Sequence, residues 1–216
     1  APHLIDESKS SVRTSKLTKV AYNDSIFYIE MFRNGPEAFA VKREVIQIEK
    51  NIWIVLDQFQ DSIQRSTRTN WTFFPDLVLR KGEANNSFIV TEKLKGQSIT
   101  GIVATSSKNE VDYLFGNNDP FAGWVMINET PIPANTVTIH SNSRGGWQLA
   151  VFMLQDSEPD RIIPTTSFIN SDSNDQWEVM ITNDQNINLL LTKSQEQIQV
   201  VKTDKTAKPS SIANLI

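Results

Sequence analysis

Short runs rich in β-branched and aromatic residues recur roughly every ten residues along the chain, separated by polar turn residues, the pattern of a sandwich or barrel. It predicts strands over Ile26–Phe32, Phe39–Glu49, Ile52–Gln58, Thr69–Phe74, Leu77–Lys81, Ser87–Lys93 and Ser98–Thr105. Further strands are predicted over Gly123–Ile127, Asn135–Ser141, Gly146–Leu154, Trp177–Thr182, Ile187–Thr192 and Gln197–Lys202. Between them stand Arg33-Asn34-Gly35-Pro36, Asp61-Ser62, Gly116 to Pro120 and Ser143-Arg144-Gly145-Gly146. Gly and Asn tolerate positive φ there, and Pro cannot continue a ladder. Helical periodicity is almost absent.

Thr136 to His140 alternates strictly, so one of its faces is buried and the other wetted. Ile52 to Leu56 does not alternate, which predicts a central strand covered on both sides. The expected architecture is all-β, an antiparallel multi-stranded β-sandwich with almost no helix. Residues 1–201 are read as one sandwich domain and 202–216 as a weakly ordered tail, because the strands beyond Leu154 are too few and short for a core of their own.

Composition narrows the chemistry. The 216 residues include no Cys, which removes disulfides, thiolate metal sites and cysteine nucleophiles. With 21 basic against 25 acidic residues the net charge is −4, so nucleic acid and anionic membranes are poor partners. No apolar run approaches the ~18 residues of a membrane span. The start, Ala1-Pro2-His3, lacks an initiating Met and reads as a processed or trimmed chain.

Candidate site residues are few. His3 and His140 are the only histidines and are not in ligand spacing, so His140 is read as a strand-end residue facing water or a polar neighbour. Gly145-Gly146 reads as a hairpin turn rather than a phosphate cradle. Asp57 reads as a strand-end carboxylate bonded to the following turn, with catalysis as its alternative, and Arg43 as a structural cation pairing with a carboxylate, with a substrate contact as its alternative. Among five Trp, Trp53, Trp147 and Trp177 are expected to pack inside. Trp71 and Trp124, beside polar turns, are the candidates for an exposed platform against sugar rings.

The stretch Phe39-Ala40-Val41-Lys42-Arg43-Glu44-Val45, then Ile52 to Phe59, then Trp71-Thr72-Phe73-Phe74-Pro75, resembles the C-terminal β-sandwich of heparinase II/III-like polysaccharide lyases. Gly123-Trp124-Val125, Ile132 to Val137 and Trp147 to Leu154 are similar to later strands of that domain. The resemblance covers about residues 20 to 156 and implies a supersandwich-like fold, with an N-terminal helical toroid in the parent protein as partner. It implies β-elimination on an acidic polysaccharide: a base takes the C5 proton, a cation or amide neutralises the carboxylate, and an acid protonates the leaving oxygen.

Most of those groups would lie outside this chain, so the expectation is an accessory sandwich, inactive alone, that walls one side of a glycan cleft. Arg43, Trp71 and Trp124 are its substrate-binding candidates. Ala1 to Asp6 weakly resembles a segment that carries a metal-ligand His in some members, which would make His3 a stranded ligand of a divalent metal in the full-length parent. A bacterial protein, periplasmic or extracellular, is implied. The alternative reading is a freestanding carbohydrate-binding or structural sandwich.

Overall fold

The computed structural model describes residues 3–4, 14–35, 39–84, 86–92, 96–106, 110–119, 121–156, 165–170, 176–182, 188–194, 197–203 and 210–215. Every regular element among them is a β-strand, and every strand pairing is antiparallel. This is the all-β sandwich expected from the sequence.

The large sheet has the order β2 (Thr14–Tyr22), β3 (Ile26–Asn34), β4 (Ala40–Ile48), β5 (Ile52–Thr72), β14 (Asn135–Gln155), β8 (Ser98–Thr105), β7 (Ser87–Glu92), β6 (Leu77–Lys81). Beside this path, β1 (His3–Leu4) pairs with β5, and β9 (Glu110–Phe115) pairs with β14. Two small ribbons interrupt the chain between β9 and β14: β10 (Asn117–Asn118) with β11 (Phe121–Ala122), and β12 (Trp124–Ile127) with β13 (Thr130–Pro133). A second sheet contains, in order, β15 (Thr165–Asn170), β16 (Trp177–Thr182), β17 (Asn188–Ser194), β18 (Gln197–Thr203) and β19 (Ser210–Leu215).

The centre of the large sheet is a ribbon of two strands, each 21 residues long, paired from Thr136↔Thr72 to Met153↔Ile52. This corrects two turns expected from the sequence. Asp61-Ser62 lies inside β5, where the Asp61 carboxylate accepts a hydrogen bond from the Arg65 guanidinium, four residues along the same strand. Ser143 and Gly145 flank a register shift of the ribbon rather than a hairpin, with the extra residues, Asp61 to Gln64, on β5. A bulge of this kind bends a strand and increases its twist without ending it. Gly146, beside this shift, takes a φ of 156°, a backbone conformation that other residues rarely adopt.

Each half of the ribbon serves a different layer. The upstream half of β5 alternates: Ile54 and Leu56 face the second sheet, and Val55 and Asp57 face the other way, all buried. Its central, doubly covered position is as expected. Trp53 is the exception at 37% exposure, since it lies beside the Glu49–Asn51 turn where the ribbon ends. Trp177 is buried and Trp147 packs half-buried against the same core.

That core joins the two sheets: Tyr28, Ile46, Ile54, Leu149 and Val151 meet Trp177, Val179, Leu191 and Val200. A second core lies on the opposite face, where Phe88, Val103, Val137, Ile139 and Ala150 pack with Trp71, Phe73 and Phe152. It unites residues from both halves of β14 with Trp71 near the end of β5, so the ribbon folds over itself. The ~25 cal/mol per Å² gained on apolar burial drives both closures.

A polar network crosses the first core. Glu44 is aligned with Ile46 and Ile48 on the inward face of β4 and is fully buried. Its carboxylate accepts hydrogen bonds from Tyr28 Oη at 2.7 Å, from Trp177 Nε1 at 3.1 Å and from Lys193 Nζ. Lys193 Nζ also lies 3.2 Å from Tyr28 Oη and 3.5 Å from Glu30 Oε2. Buried charges survive only when partnered this completely.

Candidate functional site

Arg43 and Trp71 come together, although 28 positions separate them in sequence. Register sets Arg43 of β4 opposite Asp57 of β5, and the two form a fork, Nε to Oδ1 at 2.7 Å and Nη2 to Oδ2 at 2.6 Å. Asp57 is therefore mid-strand and buried, bonded to a neighbouring strand rather than to a turn. Folding of the ribbon brings the Trp71 ring 5.4 Å from the Arg43 guanidinium carbon and sets it edge-on to Phe152 at 5.0 Å. Beside them the Thr69 hydroxyl donates to Gln148 Oε1. Gln148 is the cross-strand partner of Asp57, so this contact ties the two halves of the ribbon together. The arrangement is a packed interior: the guanidinium charge is neutralised by a bidentate carboxylate, and the indole is held between a cation and a ring.

Trp124 sits elsewhere, at the start of the β12–β13 hairpin. Its Nε1 donates to Asn117 O at 3.1 Å, and its ring lies parallel to that of Phe121, with centroids 6.3 Å apart and planes 8° from parallel. Phe121 is 66% exposed and Trp124 is half-buried.

The third grouping is a row across four strands. Backbone register places His3 of β1 opposite Arg68 of β5, Arg68 opposite His140 of β14, and His140 opposite Glu110 of β9. Adjacent strands are ~4.8 Å apart, so the row spans roughly 14 Å. The next positions on that side are Asn70, Thr138 and Asp112, with Thr138 Oγ1 donating to Asn70 Oδ1 at 3.0 Å. His140 Nε2 lies 3.1 Å from Asp112 Oδ2, an ion pair when the imidazole is protonated. The polar neighbour expected for His140 is thus Asp112.

Arg68, Glu110 and Asp112 were not singled out from the sequence. The available signal was the alternation Glu110-Val111-Asp112-Tyr113, a strand with a polar outer face. What could not be read is that β9 pairs with the first half of β14 and so lays these carboxylates beside His140. Chemically the row offers a guanidinium for a carboxylate and carboxylates and amides for hydroxyls. Among the described residues no group of three His, Asp or Glu side chains converges to hold a metal. No helix among them is long and apolar enough to cross a membrane.

No family model matches the sequence, and no curated protein does. The fold, in contrast, is found among solved structures. Heparinase III superposes on 90% of this chain with a TM-score of 0.73 and 11% identity, using 29% of its own length. The heparinase III BT4657 gene product matches 79% of the chain with a TM-score of 0.66 at 11% identity, over 26% of its length. Heparan sulfate lyase HepC from Pedobacter heparinus matches 79% with a TM-score of 0.62 at 13% identity, also over 26% of its length. The chain therefore has the β-sandwich fold found in heparinase III structures, and it spans less than a third of the length of those enzymes.

Proposed function

We propose that this chain is the C-terminal β-sandwich of a heparinase II/III-like polysaccharide lyase, a carbon–oxygen lyase that cleaves uronic-acid glycans by β-elimination. In this reading it lines one side of the glycan cleft and is not catalytic alone. The observation that carries the proposal is the fold likeness to heparinase III over nine-tenths of this chain and only 29% of that enzyme. The polar row supports it chemically. Arg68, Asn70, Asp112 and Glu110 share this row, residue types of the kind that pair with the carboxylate and hydroxyls of a uronate. The proton-abstracting and proton-donating groups would come from an N-terminal helical toroid. The reading places the protein in a bacterial periplasm or outside the cell.

The test has two arms. Purified chain incubated with heparan sulfate, alginate or hyaluronan should release no unsaturated uronate, and turnover by the chain alone would overturn the accessory role. Heparan sulfate should bind the chain, and Arg68→Ala should weaken that binding roughly tenfold, the loss of one charge-assisted fork. Unchanged binding in the variant would overturn the assignment of the row.

A further inference from the structure

The β10–β13 region carries an apolar ridge. The cross-strand pairs Trp124↔Pro133 and Met126↔Pro131 put four apolar residues on one side of the β12–β13 hairpin, and Phe121 stacks on Trp124. Phe121 and Met126 are 66% and 67% exposed, and Phe115, at the end of β9, is 62% exposed. Contiguous exposed aromatic and Met surface marks an interaction face.

The ridge is rigid. Trp124 is pinned by its bond to Asn117 O. Gly123 has a φ of 78°, and a Cβ there would meet Gly116 N at 2.7 Å and Ala134 O at 2.8 Å, so the backbone is closely packed beneath the indole. The two-residue turn Asn128-Glu129 has positive φ at both positions, 48° and 64°, the type I′ geometry that matches strand twist. Such a surface loses little entropy on binding.

Charge identifies the occupant. Residues 110–134 contain Glu110, Asp112, Asp119 and Glu129 and no Lys, Arg or His. With these four removed from the 25 acidic residues, 21 remain against 21 basic ones, so the chain's whole net charge of −4 belongs to this segment. Asp119 lies in the turn before Phe121 and Glu129 in the hairpin turn, both exposed at the margin of the ridge. At the ridge itself the exposed carboxylates of Asp119 and Glu129 draw cations.

We propose that this ridge docks a protein segment in which Lys or Arg alternates with apolar residues. The apolar side chains cover Met126 and Pro131, a cation lies over the exposed Phe121 ring, and the remaining cations meet Asp119 and Glu129. An uncharged sugar could stack on the same rings but would gain nothing from the carboxylates, so the local charge favours the basic segment.

The experiment is a titration of the ¹⁵N-labelled 216-residue chain with a short peptide alternating lysine and leucine. Controls are the same peptide with glutamate for lysine, and cellohexaose. The lysine peptide should shift the Trp124 indole signal and the amides of Phe121 to Thr130. Its affinity should fall roughly tenfold when salt is raised to about 0.5 M. Asp119→Lys with Glu129→Lys should abolish binding while leaving the rest of the spectrum in place. Equal binding of the glutamate peptide, the same shifts with cellohexaose, or shifts confined to another region would each overturn the proposal.

Discussion

Lys193 of β17 and Glu44 of β4 form a hydrogen-bonded ion pair across the two sheets, at 5% and 0% exposure. Because Tyr28 and Trp177 donate to the same carboxylate, Glu44 is the hub by which the second sheet is registered on the first. Lys193→Met leaves the buried Glu44 carboxylate with the more distant Lys42 Nζ, at 3.8 Å, and Glu44→Leu leaves the buried Lys193 ammonium with the more distant Glu30, at 3.5 Å. Each should cost about 3–5 kcal/mol in urea denaturation. Glu44→Leu with Lys193→Met removes both charges and leaves only neutral donors unpaired, at about 1–3 kcal/mol each. The double variant should therefore lose clearly less than the sum of the two corresponding single losses. Additivity of the singles would show that the pair is not coupled.

The same network sets the pH limits of stability. Burial, and after it the charge of Glu44 and its hydrogen bond, push the Tyr28 phenol far above its ordinary value of 10.0. A raised folded value gives stability that is complete below 10.0 and is lost progressively as pH rises beyond it, because unfolding then releases a proton. Glu30 is shifted the other way. Desolvation works upward on its carboxyl, but the Thr18 hydroxyl, the Lys193 charge and the Tyr28 hydroxyl together hold it below 4.5. Its contribution is present above 4.5 and fades as pH falls through the lowered value. Melting temperature should thus decline on both sides of a neutral plateau. Tyr28→Phe should flatten the alkaline limb, and Glu30→Gln the acid one. An alkaline limb unchanged in Tyr28→Phe would count against the assignment.

Local pattern revealed β16, whose burial alternates as its sequence does. The wetted face expected for Thr136 to His140 is absent: Thr136 and Thr138 are as buried as Val137 and Ile139, because β5 and β9 pair on either side of them. Local pattern failed for β2, whose side chains are almost all exposed, since an edge strand with no buried face has no alternation to read. It also divided β5 and β14, where Asp61, Ser143 and Gly145 imitate turns. The partners that hold those residues in a strand, Arg65 and the facing strand of the ribbon, are not evident from turn propensity. Ser210–Leu215, within the stretch read as a weakly ordered tail, forms β19 and pairs with β18. For the site, Arg43 was legible as an ion-pair cation because it interrupts an apolar strand. Its partner Asp57 and its cover Trp71 depend on register and on the fold-over, which are long-range.

Gly101 of β8 lies opposite Phe88 of β7, and a Cβ built there would run into the Phe88 ring. Phe88 is fully buried and also touches Phe73 and Phe152, so it has no open direction in which to yield. Gly101→Ala should therefore destabilise by about 1–3 kcal/mol, the cost of overpacking, despite the ordinary preference for Ala over Gly in a strand. For a domain of this size that is a fall in Tm of roughly 2–10 °C. Adding Phe88→Leu should restore part of it, whereas an unchanged Tm in Gly101→Ala would show that the ring is free to move.

The fork between Arg43 and Asp57 beneath Trp71 gives the last prediction. Asp57 is buried and accepts both of the guanidinium's parallel N–H groups, so Asp57→Asn leaves a largely buried cation with half its partner and should cost about 3 kcal/mol. Arg43→Lys keeps the charge but replaces a planar fork with a point charge and loses the flat contact with the indole, and should cost about 1–2 kcal/mol. Trp71→Ala removes the ring that packs on both Arg43 and Phe152 and should cost about 3–5 kcal/mol. If these residues serve the interior, as their partners indicate, heparan sulfate affinity measured below the melting transition should be unaltered in Arg43→Lys while urea stability falls. A loss of glycan affinity at unchanged stability would instead return Arg43 to the binding surface.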